Sequence, residues 1–340
     1  MNRFATKLAG LGLAATIPLS ALADGHTMWQ PDRPINIIVP WSAGGSTDQV
    51  TRVVAPILAE ALGTDVVIVN QPGASGSIGT KAALDAPRDG YTWTANAVAN
   101  NATYAVTGLI EGTSIEDYQI YLSVANVPVV SVNADSPYTD FAQLLEAMKT
   151  EGVTVGTAGV NSSGGMALAA IGEAAEGTLA ARMVTYDGGA PAVMAAASGE
   201  VVVTTQLAVE QTEMIRAGRL RGLAVLSDQA LDVEGIDPIP PITQFMPNFK
   251  VAADYFGILI PVGAPDEVYA TVEKIWNEKV ATSPELRAYA TDRGAVFAPS
   301  AGQAALDKAM PVIVSEACSR VTRGEAVVDP STMGITCPAE

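Results

Sequence analysis

The sequence predicts an α/β protein built from two lobes with a ligand cleft between them. Through most of the chain, short β-branched runs alternate with segments whose apolar residues recur at helical spacing. The turns between these segments are rich in glycine. Two apolar runs, around residues 124–132 and 253–261, are typical of crossings between lobes. A length of 340 residues is sufficient for two domains, each with its own core.

The individual elements follow from the spacing of apolar residues. A strand is expected at 35–41, a helix at 47–62 that Gly63 ends, and a strand at 65–69. Further strands are expected at 91–97, 121–132, 153–157, 183–186, 201–205, 220–226 and 253–261. Further helices are expected at 141–149, 166–175, 190–197, 209–217, 266–281 and 284–293. Because strands and helices alternate, the sequence favours largely parallel sheets.

The two crossings divide the chain into lobes. The simplest arrangement has a first lobe of residues 24–125 plus 254–340, with a second lobe, residues 126–253, inserted into it. Two crossings form a hinge, and the cleft lies between the lobes. Ligand sites favour such interfaces and the carboxyl ends of parallel strands.

The N-terminus has the pattern of a secretory signal peptide over residues 1–23. Arg3 and Lys7 precede an apolar stretch at 8–22, and Ala21-Leu22-Ala23 predicts cleavage after Ala23. The alternative is a membrane anchor, but the stretch is shorter than the ~20 apolar residues that span a bilayer. We therefore expect an exported protein in the periplasm that is not inserted in the membrane.

Charge and histidine content exclude several function classes. The 19 basic and 36 acidic residues give a net charge of −17, which argues against nucleic acids and anionic membranes as partners. His26 is the single histidine and lies near the N-terminus. Histidine-based catalytic triads and metal sites would all depend on it. The sequence therefore predicts no enzyme activity, no metal and no cofactor.

Two cysteines lie near the C-terminus. Cys318 and Cys337 are 19 positions apart and most simply form one disulfide in an oxidising compartment. A metal pair or a redox pair is the alternative, but the C-x-x-C spacing is missing. A disulfide here would hold down an irregular tail and contribute ~3 kcal/mol in the chain-entropy treatment.

Two glycine-rich loops carry the strongest functional signal. The first, Trp41–Asp48, links a predicted strand to a predicted helix, and Ser46 or Thr47 can cap that helix. The second, residues 156–165, has the same setting in the other lobe. Each can present backbone N–H groups at a helix N-terminus, which suits a carboxylate or phosphate. Ordinary capped turns are the alternative for either loop, but two such loops facing one cleft could hold an anion without lysine.

Other loops have similar chemistry. Residues 70–76 and 186–191 again lie between strands and helices, either as direct contacts or as structural turns. Asn96, Asn100 and Asn101 follow the end of a strand, where they either line the cleft or serve as turn residues.

The order of several motifs resembles the substrate-binding proteins of tripartite tricarboxylate transporters, the Bug-type periplasmic binders. The segments that carry the resemblance span about residues 30–300 and include Val39-Pro40-Trp41-Ser42-Ala43-Gly44-Gly45-Ser46-Thr47-Asp48, Val69-Asn70-Gln71-Pro72-Gly73-Ala74, Gly156-Thr157-Ala158-Gly159-Val160 and Ala217-Gly218-Arg219-Leu220. The resemblance implies a type II periplasmic-binding fold that closes on a small carboxylate. It also implies that the two loops hold the ligand, partly through water, and that a membrane permease receives it.

The resemblance also implies a set of ligand-binding residues. In the first loop they are Trp41, as an apolar wall, with Ser42, Ala43, Gly44, Gly45, Thr47 and Asp48; in the second they are Asn161, Ser162, Ser163 and Gly164, and elsewhere Asn96, Tyr186, Asp187 and Gln206. Two positions depart from the family pattern. Asp187 stands where a lysine usually follows the tyrosine, and Gly165 where a histidine usually ends the second loop. Asp187 could face a ligand hydroxyl or ammonium, or point to solvent.

The expected function is therefore capture of a small organic carboxylate, either a di- or tricarboxylate or an aromatic acid, by a monomer that serves a permease. A periplasmic binder that signals to a sensor kinase is an alternative that the sequence does not separate from uptake, since both would use the closed form. A hydrolase based on Ser162 or Ser163 is disfavoured, because neither lies in a G-x-S-x-G motif and His26 is poorly placed as a base.

Overall fold

The computed structural model describes residues 28–175, 179–251 and 253–338. The predicted signal peptide, its cleavage after Ala23 and His26 lie outside the described residues. The strands are β1 (Ile35–Val39), β2 (Val66–Asn70), β3 (Thr92–Ala97), β4 (Tyr118–Asn126), β5 (Val129–Asn133), β6 (Thr154–Thr157), β7 (Arg182–Thr185), β8 (Val203–Thr204), β9 (Leu220–Val225), β10 (Asp254–Pro261) and β11 (Val296–Ala301).

The helices lie between these strands and after them. They are α1 (Ser46–Leu62), α2 (Ser77–Asp85), α3 (Val98–Thr103), α4 (Phe141–Thr150), α5 (Ser163–Ala174), α6 (Gly189–Ser198), α7 (Ala208–Arg216), α8 (Asp266–Glu278), α9 (Pro284–Arg293) and α10 (Gly302–Thr322). None of the helices in the described ranges is long and apolar enough to cross a membrane. The predicted α/β class is confirmed.

The strands form two sheets. One has the order β11-β4-β10-β3-β1-β2 and the other the order β7-β6-β8-β5-β9. The chain passes from the first sheet to the second between Asn126 and Val129, and returns between Val225 and Asp254. The lobe boundaries at 125/126 and 253/254 stay a prediction, since the sheets alone do not fix them.

The expectation of largely parallel sheets is wrong. Strands β1, β2 and β3 pair in parallel, as do β6, β7 and β8. The other neighbouring pairs, which involve β4, β5, β9, β10 and β11, are antiparallel. The reason is the passage between lobes: β4 leaves the first sheet and β10 returns to it alongside, so the two run in opposite directions.

Each sheet has its own apolar core, and these cores fix the loops of the cleft. Helix α1 buries Val50, Val54 and Leu58 against the first sheet, which orients its N-terminus toward the second lobe. Phe141 and Leu144 of α4 are fully buried in the core of the second sheet. The loops that precede α1 and α5 are thus carried by rigid packing.

The C-terminal region is more regular than the sequence suggests. Helix α10, which the apolar pattern did not predict, packs against α3 and β4. The predicted disulfide is present and joins Cys318 of α10 to Cys337 of the tail. The tail also donates from the Val327 amide to the Val106 carbonyl, so it is fixed to the first lobe at more than one point.

Candidate ligand-binding site

The first glycine loop is shaped by Asp48. Gly44 has a φ of +83°, a conformation that favours glycine, and its amide donates to Asp48 Oδ2 at 2.9 Å. The same carboxylate accepts from Arg52 and from Asn70 Nδ2. Burial alone would raise the pKa of Asp48, but these hydrogen bonds hold it below its usual value. Both oxygens are therefore committed, and Asp48 shapes the loop in this structure; its predicted ligand contact stays a prediction.

Asn96, also predicted as a ligand contact, is hydrogen-bonded inside the protein in this structure. It is fully buried in β3, and its Oδ1 accepts from Trp41 Nε1 at 2.8 Å. Its Nδ2 donates to Asn101 Oδ1 at 2.7 Å. Because its polar atoms are used inside the protein, Asn96 positions the Trp41 ring. Trp41 itself, 7% exposed, lines a small cavity between the lobes, as does Phe256.

The second glycine loop is closed by its own hydrogen bonds. Ser162 Oγ donates to the Gly159 carbonyl at 2.7 Å and accepts from the Gly165 amide at 3.1 Å, which caps α5. Asn161 Nδ2 donates across the lobes to Thr107 Oγ1 at 2.7 Å. A Cβ on Gly165 would overlap the Gly159 carbonyl. This backbone therefore excludes any side chain at the position where the family pattern has histidine.

A carboxylate from the second lobe occupies the N-terminus of α1. Glu210 of α7 accepts from the Ser46 amide at 2.8 Å and from the Leu207 amide at 3.3 Å. In the amide orientation that satisfies its neighbours, Gln206 donates to the same carboxylate at 3.1 Å. Glu210 keeps a small exposed fraction, yet the carboxylate lies deep enough between the lobes that burial raises its pKa.

The reciprocal contact is made by Asp254 at the start of β10. Ser163, the first residue of α5, donates from Oγ to Asp254 Oδ2, while Oδ1 is buried and has no partner in the described part of the chain. Burial raises the pKa of Asp254 to about 7, and the nearby Glu316 carboxylate adds to the shift. Each of the two predicted anion-binding helix N-termini therefore faces a carboxylate of the protein itself.

A small cavity lies between these contacts. It is lined by Trp41, Gly45, Ser46, Thr47, Asn100, Ala158, Ser162, Ser163, Gly189, Gln206, Leu207, Glu210 and Phe256. Its volume of about 20 Å³ accommodates a single water molecule. Glu210 is the one charged residue among the described residues that line it. A larger molecule would fit only if the lobes separated or Glu210 moved.

The structure brings part of the predicted set together. Trp41, Gly45, Thr47, Ser162, Ser163 and Gln206 line the cavity, whereas Ala43 and Gly44 are exposed at its rim. The Ser42 amide donates to the Asp187 carbonyl at 3.0 Å, and the Asp187 side chain is exposed. Two other residues of the predicted set form hydrogen bonds within the protein. The Tyr186 hydroxyl donates to Glu200 at 2.8 Å, and the Gly164 carbonyl accepts from the Thr205 hydroxyl.

Two residues of the site were not predicted. Glu210 is the third residue of α7, and its carboxylate accepts from the amide of Leu207, the residue before the helix. A glutamate at this position of a predicted helix was the sequence pattern that could have indicated the contact. Asp254 had no comparable local signal, because its partner Ser163 lies 91 positions away. Over the described ranges, no group of three or more His, Cys, Asp or Glu side chains could hold a metal ion.

A profile of the family described as "Tripartite tricarboxylate transporter family receptor" matches residues 50–308. This chain belongs to that family. BugT of Bordetella pertussis is 32% identical over 293 residues, which cover 83% of this chain and 87% of BugT. The chain is thus a periplasmic solute-binding protein of the tripartite tricarboxylate type, and the resemblance inferred from its motifs is confirmed.

Solved structures show the same fold. The periplasmic binding protein BugD superposes on this chain with a TM-score of 0.78 at 23% identity, and the match covers 87% of this chain and 99% of BugD. MatC from Rhodopseudomonas palustris, solved with bound malate, gives a TM-score of 0.75 at 20% identity, covering 87% and 98%. The two-lobed periplasmic-binding fold is therefore confirmed.

Proposed function

We propose that the binding protein captures a small organic carboxylate in the periplasm and delivers it to the permease of a tripartite-type transporter. The contact that carries this proposal is the one between Ser46 and Glu210. A carboxylate already lies at the N-terminus of α1 and accepts the Ser46 amide at 2.8 Å. A position that binds one carboxylate through a backbone amide and a helix dipole is suited to another.

The ligand carboxylate would replace Glu210 at this position. Thr47 would add a hydroxyl group and Trp41 an apolar wall, since both line the cavity. Family membership supports a carboxylate as the ligand class. MatC, a protein of the same fold, was solved with malate.

Binding would be coupled to movement of the lobes about the two crossings. The cavity holds about one water molecule, so a carboxylate ligand enters only an opened form. The ligand then stabilises the closed form by its additional contacts there, which shifts the population of the two forms. A permease that distinguishes the two forms would receive only loaded protein. We expect the mature protein, cleaved after Ala23, to act as a monomer.

A proline substitution tests the contact directly. Ser46 is the first residue of α1, a position where proline is compatible with a helix, and the preceding Gly45 is extended, as proline requires. Ser46→Pro therefore removes one N–H group and leaves the helix in place. Ser46→Ala, which keeps the N–H group, is the matched control.

Isothermal titration calorimetry against mono-, di- and tricarboxylates measures the effect. We expect at least one acid to bind, and Ser46→Pro to weaken that binding about 10- to 100-fold, the range of one hydrogen bond to a charged group. Ser46→Ala should bind within a few-fold of the unmodified protein. Equal affinity of the proline and alanine variants, or no binding by any acid, would contradict the proposal.

A further inference from the structure

The C-terminal end of α10 makes direct contacts with the second lobe. Helix α10 itself belongs to the first lobe, where it packs against α3 and β4. Ser319 and Arg323 of this helix both contact the carboxylate of Glu173, near the end of α5. Helix α5 is part of the second core, in which its Leu168 and Ile171 are buried. The two α10 side chains therefore join the lobes, and they do so away from the cavity of the cleft, which other residues line.

Two further contacts reach the other end of α5. Arg320 donates from Nη2 to the carbonyl of Val160, in the loop that precedes this helix, at 3.4 Å. Asn161 Nδ2 in the same loop donates to Thr107 Oγ1 of the first lobe at 2.7 Å. The first lobe thus contacts α5 at both of its ends. Separation of the lobes would have to break all of these contacts.

The arginines of α10 are positioned by partners in their own part of the chain. Glu325, which follows the helix, accepts from Arg320 Nη1 at 3.1 Å and from Arg323 Nη2 at 3.0 Å. Ser319 Oγ accepts from Arg323 Nη1 at 2.7 Å. Because these contacts do not involve the second lobe, they would remain when the lobes separate. The side chains are therefore preorganised to meet Glu173 each time the lobes close.

The strength of the contact is limited by exposure to water and by the burial of a charge. The side chains of Arg323 and Glu173 are 16% and 39% exposed. An ion pair of this kind shifts an equilibrium by about 2- to 5-fold. The Arg320 side chain is 1% exposed, and its Nε is buried with no hydrogen-bond partner among the described residues. Burying this charge opposes closure, so the net bias is modest and the lobes can still separate.

We propose that the end of α10 is a latch that shifts the unliganded protein toward its closed form. The latch joins Ser319 and Arg323 to Glu173, and Arg320 to the loop before α5. Because α10 is held by its packing on α3 and β4, the latch does not require the Cys318–Cys337 disulfide. This inference goes beyond the proposed function, since the latch acts on the lobes in the absence of any ligand.

Distances between the lobes in the unliganded protein provide the test. Both described cysteines are joined in the disulfide, so spin labels are attached to cysteines introduced at the exposed Lys149 of α4 and Lys274 of α8. Double electron–electron resonance then gives the ratio of closed to open protein. The labelled protein is compared with Glu173→Ala, with Arg323→Ala and with the double variant. Glu234→Ala, which removes an exposed glutamate of the second lobe, is the matched control.

We expect Glu173→Ala and Arg323→Ala each to lower the ratio of closed to open protein about 2- to 5-fold. The double variant should lower it by less than the product of the two single effects, because both substitutions remove the same contact. Glu234→Ala should leave the ratio unchanged, and circular dichroism reports whether each variant is folded.

A ratio that neither folded single variant changes would overturn the latch. Single effects that multiply fully in the double variant would also overturn it, since the two side chains would then act independently. A loss of stability toward urea with no change in the ratio would assign these residues to the folded core of one lobe instead. Because no ligand is present, each of these outcomes leaves carboxylate capture intact.

Discussion

We expect Asp254 to make the stability of the protein depend on pH. Burial raises its pKa from the usual 3.8 to about 7. As pH rises through this interval, the unfolded chain loses the proton first while the folded protein retains it. The free energy of unfolding is therefore highest below the usual pKa and falls until the folded pKa is passed. From about pH 5 to about pH 8 the loss amounts to about 3 kcal/mol, since a pKa difference of one unit corresponds to 1.36 kcal/mol.

Urea denaturation followed by circular dichroism at about pH 5 and about pH 8 measures this difference. In Asp254→Asn, the difference in the free energy of unfolding between the two pH values should be about 3 kcal/mol smaller, because the asparagine amide does not titrate in this range. A dependence of the same sign should remain, since the pKa values of Glu210 and Glu316 are also raised. Asp228→Asn, an exposed carboxylate, is the control. An equal pH dependence in Asp254→Asn and the unmodified protein would refute the reasoning.

Two further predictions concern the second glycine loop and the C-terminal tail. Gly165→Ala should lower the free energy of unfolding by about 1–3 kcal/mol, because the new Cβ would overlap the Gly159 carbonyl. Gly172→Ala in the same helix, where a Cβ has room, should not; equal losses in urea denaturation would contradict the argument. Reducing the Cys318–Cys337 disulfide should lower the free energy of unfolding by about 3 kcal/mol and leave carboxylate affinity unchanged, as calorimetry on reduced and oxidised protein would show.

The sequence was informative where the determining contacts are local. The α9 helix has the predicted bounds, 284–293, because Ser283 caps its start and Gly294 ends it. The position of the first loop between β1 and α1 was predicted for the same reason. Helix α10 was missed because Pro311 lies inside it, and proline normally indicates the end of a helix.

The contacts between the lobes could not be predicted in this way. Glu210 and Ser46 are 164 positions apart, so no local pattern connects the carboxylate to the amide that binds it. Asp48 and Asn96 were predicted as ligand contacts, and this stays a prediction. Their hydrogen bonds to Gly44 and Trp41, which commit them to the protein, depend on side-chain directions that residue type does not specify.

The antiparallel pairing of β4 with β10 constrains how the lobes can move. The two strands remain paired up to Asn126 and Asp254, and the chain enters β5 three residues later. Sliding β4 along β10 by one residue would break every hydrogen bond between the two strands and move their side chains to the opposite face of the sheet. Bending at the end of this pair breaks none. The pairing of these strands therefore opposes shear between the lobes and permits bending where the paired strands end, and Asp254, whose pKa burial raises, lies at that end.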